Sequence, residues 1–137
     1  MDAFLLDFRP GGSSYYAAAN FKVFVQTGGD FTELDSDESS IGYRTEAGEA
    51  APTFQTRPID LSQASSLVIV SDGILDQKGG AKGLSLGRRR LRALLEESLA
   101  GDDAAPRLDS DRLMLAIEDY RGDEEQRDDM TLIVLSL

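Results

Sequence analysis

Leu67-Val68-Ile69-Val70-Ser71-Asp72-Gly73 is the stretch on which the fold turns. Its first four residues form an unbroken apolar run, too short for a helix and without alternation. They read as a strand buried on both faces, hence a central one. The strand runs straight into Ser-Asp-Gly, a turn signal. A second run, Thr131-Leu132-Ile133-Val134-Leu135, reads as a final buried strand and follows Asp128-Asp129 directly. If the two strands lie side by side in antiparallel sense, the end of one meets the start of the other at one sheet edge. Asp72 then converges with Asp128 or Asp129. Carboxylates facing a shared point repel one another unless a proton or a divalent cation sits between them.

Working outward, residues 1–8, 14–19, 22–26 and 31–34 read as strands, the last two joined as a hairpin through Gly28-Gly29-Asp30. Residues 35–51 are acidic and rich in Ser and Gly, which predicts a surface loop. Residues 53–59 read as a further strand that Pro58 pushes toward an edge. Residues 79–87 read as a Gly-rich flexible connection in which Ser85 caps the following helix. In that helix Leu91, Leu94, Leu95 and Leu99 make one apolar stripe. Residues 101–106 end it. A second helix starts near Asp109, capped by Asp109 or Ser110, with Leu113, Met114, Ile117 and Tyr120 on one face. Residues 121–129 are a charged loop. Strands, two helices and a last strand predict an α+β fold with antiparallel sheets, in one domain over residues 1–137.

Composition narrows the chemistry. The 137 residues are 41% hydrophobic, enough for a globular core. No apolar run approaches the roughly 18 residues of a membrane-spanning helix, and Asp2 and Asp7 bracket too short an apolar stretch for a signal peptide. The expected setting is the cytoplasm. With no cysteine and no histidine, disulfides, thiolate zinc sites, cysteine nucleophiles and Ser-His-Asp triads are all excluded. Any chemistry must rest on carboxylates, with hard cations such as Mg²⁺ or Mn²⁺. A net charge of −11, from 14 basic and 25 acidic residues, argues against nucleic acid or an anionic membrane as partner. The one basic cluster, Arg88-Arg89-Arg90 with Arg92, reads as a solvated helix face.

Three other motifs fall short. An apolar strand ending in Asp resembles a Walker B strand, but no Gly-x-x-x-x-Gly-Lys-Ser/Thr loop accompanies it. Asp35-Ser36-Asp37 opens like a calcium-binding loop, but Ser40 stands where that loop needs Gly. Gly79-Gly80-Ala81-Lys82-Gly83 does not join a strand tightly to a helix, as a dinucleotide fingerprint must.

Five segments, in order, carry a resemblance. The stretch Leu67 to Gln77 resembles the strand-Ser/Thr-Asp-Gly motif of SpoIIE-like, PPM-type metal-dependent serine/threonine protein phosphatases. Asp128-Asp129-Met130-Thr131-Leu132 resembles their closing Asp-Asp-x-Thr-Leu motif. Leu86-Gly87-Arg88-Arg89-Arg90-Leu91 is similar to their Phe-Gly-x-x-Arg-Leu helix start. Ala17-Ala18-Ala19-Asn20 is similar to an Ala-Gly-x-Asn turn, with Ala at the Gly position. Ile41-Gly42-Tyr43-Arg44 is similar to a Pro-Ile-Gly-Tyr-Arg segment, with Ser40 in place of Pro.

The resemblance implies two antiparallel sheets packed together and flanked by helices. It implies hydrolysis of phosphoserine or phosphothreonine with two Mn²⁺ or Mg²⁺ ions, a scheme that needs neither His nor Cys. By carry-over Asp72 and Asp128 are ligands of one ion. Gly73 and Asp129 stand beside them, Asp129 at a position where relatives have Asp or Asn. The family's other metal residues belong to a Gly-Asp strand and an Asp-x-(Ser/Asp)-Gly-His-Gly turn ahead of this region, and neither motif occurs here. The chain therefore resembles the C-terminal half of such a domain. One ion at most, weakly held, is expected here, and no activity from the chain in isolation. Implied partners are a phosphorylated protein (an anti-sigma-factor antagonist among the possibilities) and either the missing N-terminal half or a second copy covering open strand edges. The alternatives are a non-catalytic relative that binds a phosphoprotein, and an acidic interaction module whose aspartates only cap strands.

Overall fold

In the computed structural model, which describes residues 2–10, 13–39, 41, 53–101 and 106–137, fourteen short elements follow one another. They are β1 (Ala3–Asp7), β2 (Ser14–Ala19), β3 (Lys22–Thr27), β4 (Asp30–Leu34), β5 (Arg57–Ile59), β6 (Ser66–Val70), α1 (Asp72–Asp76), β7 (Lys78–Gly79), β8 (Leu84–Ser85), α2 (Gly87–Glu97), β9 (Leu99–Ala100), β10 (Arg107–Leu108), α3 (Ser110–Arg121) and β11 (Leu132–Ser136). The larger sheet has the order β11-β6-β3-β4 and the smaller β1-β2-β5, antiparallel throughout. This is the α+β, antiparallel architecture that the sequence predicts.

The all-apolar run of β6 lies between β11 and β3, and all five of its residues are buried. Alternation sorts its side chains. Val68 and Val70 face the helices with Phe24, Phe31, Ile74, Leu91, Leu95, Leu113 and Ile117. Leu67 and Ile69 face the smaller sheet with Val23, Val25, Tyr16 and Ala18. Full burial of each large side chain contributes about 1.5–3 kcal/mol. Asp109 caps α3 as expected, accepting from the backbone N–H groups of Asp111 and Arg112.

Several expectations need correcting. The Thr131–Leu135 run is apolar but not a buried strand, because β11 pairs only with β6 among the described residues. Ile133 and Leu135 remain 43% and 37% exposed. Residues 53–56 are not strand; β5 is confined to Arg57–Ile59 at the edge beside β2, where the missing N–H of Pro58 does no harm. Ser85 does not cap α2, since it belongs to β8, and the N-cap is Leu86 with no side-chain cap. The 79–87 connection is a small β7–β8 ribbon, held by Gly80 N–H donating to the Tyr120 carbonyl at 2.7 Å. A side chain at Gly79 would collide with the Tyr120 backbone. Helix α1 was not anticipated. The Ile41–Arg44 segment beyond Ile41, most of the acidic 35–51 loop, and residues 102–105 lie outside the described residues.

Candidate functional site

Register brings three strand ends to one place. Leu132 of β11 pairs with Val70 of β6, and Val70 pairs with Lys22 of β3, so the three residues form one row across the sheet. Just beyond that row lie Asp128 and Asp129 ahead of β11, Asp72 after β6, and Asn20 ahead of β3.

Ser71 locks the first two together. It has extended backbone (φ −77°, ψ 163°) as the residue before α1, yet its hydroxyl caps nothing. That oxygen accepts the Thr131 N–H at 2.9 Å and donates to the Asp129 carbonyl at 3.3 Å, while its own N–H donates to the Thr131 carbonyl at 3.0 Å. Gly73 is buried against the opposing backbone. A Cβ there would lie inside contact distance of the Asp129 carbonyl oxygen, 3.0 Å from its carbon and 3.5 Å from the Asp128 Cβ. The Gly73 backbone therefore packs directly against the Asp128-Asp129 segment.

Asp72 is half-buried, and its Oδ2 accepts the Asn20 Nδ2 at 3.0 Å. Asp128 and Asp129 are exposed. The Asp128 Oδ1 accepts the Asp129 N–H at 2.8 Å, and its carbonyl accepts the Gln126 side chain at 2.9 Å. Two residues nearby were missed as site components. Asn20, noticed only within a turn motif, occupies a left-handed conformation (φ 63°) and touches Asp72. Lys22 is buried, with its Nζ donating to the Ser36 hydroxyl at 3.0 Å. Behind the site, Asp37 makes a paired contact with the Arg57 guanidinium (2.7 and 3.2 Å) and accepts the Gln55 N–H. The guanidinium, and then that backbone donor, hold the Asp37 carboxyl below its ordinary range.

Chemically, the edge offers hard, anionic oxygens. Among the described residues no cluster of three or more carboxylates could hold an ion. Two carboxylates fit a single hard cation that keeps much of its water, as Mg²⁺ does, and do not fit a two-ion centre. A cavity of about 570 Å³ lies at the opposite end of the sheet, lined by Gln26, Ser66, Arg107 and Ser136. Its buried Gln26 amide is spent on Gly28, Pro106 and Ser66.

The family model of Stage II sporulation protein E (SpoIIE) matches residues 2–137, and the chain belongs to this family of PPM-type phosphatase domains. No curated protein matches it. Among solved structures it is similar to the SiaA-PP2C domain of Pseudomonas aeruginosa, with TM-score 0.74 and 24% identity over 99% of this chain and 51% of that one. It is also similar to a bacterial serine phosphatase carrying an Arg-to-Glu substitution, with TM-score 0.55 and 18% identity over 96% and 50% of the two chains. These likenesses show the PP2C-type fold. The chain spans about half the length of the solved chains it matches.

Proposed function

We propose that this SpoIIE-family chain contributes the Asp72–Asp128 edge of a metal-dependent phosphoserine/phosphothreonine phosphatase. In this reading Asp72 and Asp128 hold one Mn or Mg ion. The carrying observation is the strand-end row, in which Ser71 ties β6 to β11 and Gly73 lets the two aspartate segments touch. When bound, such an ion makes a coordinated water acidic near neutral pH and offsets charge on a transferring phosphoryl group. The chain's own residues supply the anionic oxygens and fix their spacing. Asp72 opens α1 just past the end of the central strand β6, and Asp128 lies in a loop with local hydrogen bonds from Gln126 and the Asp129 N–H. Gly73 keeps the approach close, and Asp129 serves through its backbone more than its carboxylate.

A two-ion centre needs more carboxylates than the described residues bring together, so full activity requires further residues of the domain. The complement is either the other half of a PP2C-type domain or a second copy. Exposed Ile133 and Leu135 on β11, which pairs only with β6 among the described residues, support such a complement. The substrate in this reading is a phosphorylated protein, of the anti-sigma-factor-antagonist kind that the family resemblance suggests, in a bacterial cytoplasm. No helix among the described residues is long and apolar enough to cross a membrane.

That only two carboxylates meet at this edge among the described residues favours a second reading, a non-catalytic relative that binds a phosphoprotein without hydrolysing it. Mn²⁺-dependent hydrolysis of p-nitrophenyl phosphate, with and without Asp72→Ala, tests catalysis by the chain itself, which activity abolished by the substitution supports. No turnover by either protein leaves the incomplete domain and the binding module, and turnover gained on adding the complementary half of a PP2C-type domain then supports the first.

A further inference from the structure

The residue most out of keeping with its surroundings is Asn20. It sits at the corner where β2 of the smaller sheet gives way to β3 of the larger, and it is the sole non-glycine with positive φ (63°) among the described residues. Asn is tolerated in the left-handed region better than most residues, so a turn role alone could place it there. The corner, however, is already fixed by backbone. Asn20 N–H donates to the Asp37 carbonyl at 2.8 Å, and Asp37 N–H donates to the Ala18 carbonyl at 2.9 Å. The side-chain amide is therefore spare, and it is spent on Asp72, 52 residues away in sequence, at 3.0 Å.

We infer that Asn20 is a positioning residue, whose amide holds the Asp72 carboxylate so that its other oxygen faces the edge shared with Asp128. The geometry supports this division of labour. One carboxylate oxygen is occupied by a neutral donor, which fixes the rotation of the carboxylate without neutralising it. A Lys or Arg in the same place would compete with a cation for the charge. Partners that orient metal-binding side chains in this way commonly matter about tenfold or more for metal affinity. The inference rests on Asp72 as a metal ligand, and its test can fail separately from that reading.

The discriminating contrast is Asn20→Gly against Asn20→Ala. Glycine relaxes the left-handed backbone and removes the amide; alanine removes the amide and keeps the strain. Mn²⁺ affinity of the chain is followed by water-proton relaxation, with thermal melting alongside. Both variants should lose Mn²⁺ affinity alike, by about tenfold or more, while only the alanine variant melts lower. An Asn20→Gly variant that binds Mn²⁺ like the parent makes Asn20 a turn residue and overturns the proposal. If the parent chain binds no Mn²⁺, the metal reading falls, and the ion-free protein decides the positioning claim. In its ¹⁵N spectrum the Asn20 side-chain amide should exchange slowly with solvent and shift on Asp72→Ala. An amide that exchanges freely and does not shift ends the proposal.

Discussion

Replacing Gly73 by alanine adds one methyl group at the point where the two aspartate segments touch, and two effects of opposite sign then compete. Gly73 lies in α1 without a positive φ, so the intrinsic helix preference favours alanine by about 0.5–1 kcal/mol. Against this, the new Cβ would sit 3.0 Å from the Asp129 carbonyl carbon and closer still to its oxygen. Ordinary carbon contacts begin near 3.5 Å. The obstacle is backbone held by the Ser71 hydrogen bonds, not a side chain that can swing aside. Overpacking of this kind costs about 1–3 kcal/mol, so the collision wins and a net loss of about 1–2 kcal/mol is expected. In a chain of this size that lowers Tm by roughly 3–10 °C. Relief requires the start of β11 to move away from the end of β6, carrying Asp128 with it. Mn²⁺ affinity should therefore fall by more than the stability loss explains. Urea unfolding and Mn²⁺ titration on the same preparations measure the two effects. Gly29→Ala is the control, since nothing lies within 4 Å of its Cβ position, and should stay within about 0.5 kcal/mol of the parent. A Gly73→Ala protein as stable as the parent, binding Mn²⁺ equally well, would refute the contact between the two aspartate segments.

Ser71→Ala should destabilise the chain by about 1–3 kcal/mol in urea unfolding, because it leaves the Thr131 N–H without its acceptor. The Asp37–Arg57 pair makes a pH prediction. The folded Asp37 carboxyl titrates below its unfolded value, so its contribution is present in full above about pH 4 and is lost as pH falls through the folded value. Arg57→Met should thus lower the urea midpoint at pH 7 more than at pH 3; equal losses at both would contradict this. For the β11 edge, light scattering of the parent chain should show association that Ile133→Lys or Leu135→Lys abolishes. A monodisperse parent monomer counts against self-pairing there.

Sequence by itself determined the elements whose signal is local. The unbroken apolar run at 67–70 could only be a central strand, and β6 is buried along its whole length. Asp109 had the side chain a helix start needs, and it caps α3. The absence of His and Cys left carboxylates as the available chemistry. Antiparallel pairing of two runs that end and begin with aspartate was legible too, because a strand end and a strand start must then meet. Tertiary structure decided what depends on who stands next to whom. An apolar pentapeptide reads the same at an edge as at a centre, so the exposure of β11 appeared only when β6 was seen to have β3 on its other side. Ser71 looked like a turn residue and proved to be a cross-strand lock, since its hydroxyl has two partners 58 and 60 positions away. Asn20 carried no chemical signal of its own, because an amide acquires a role only from the group it faces. That group, Asp72, follows a different strand and is brought alongside by the sheet register.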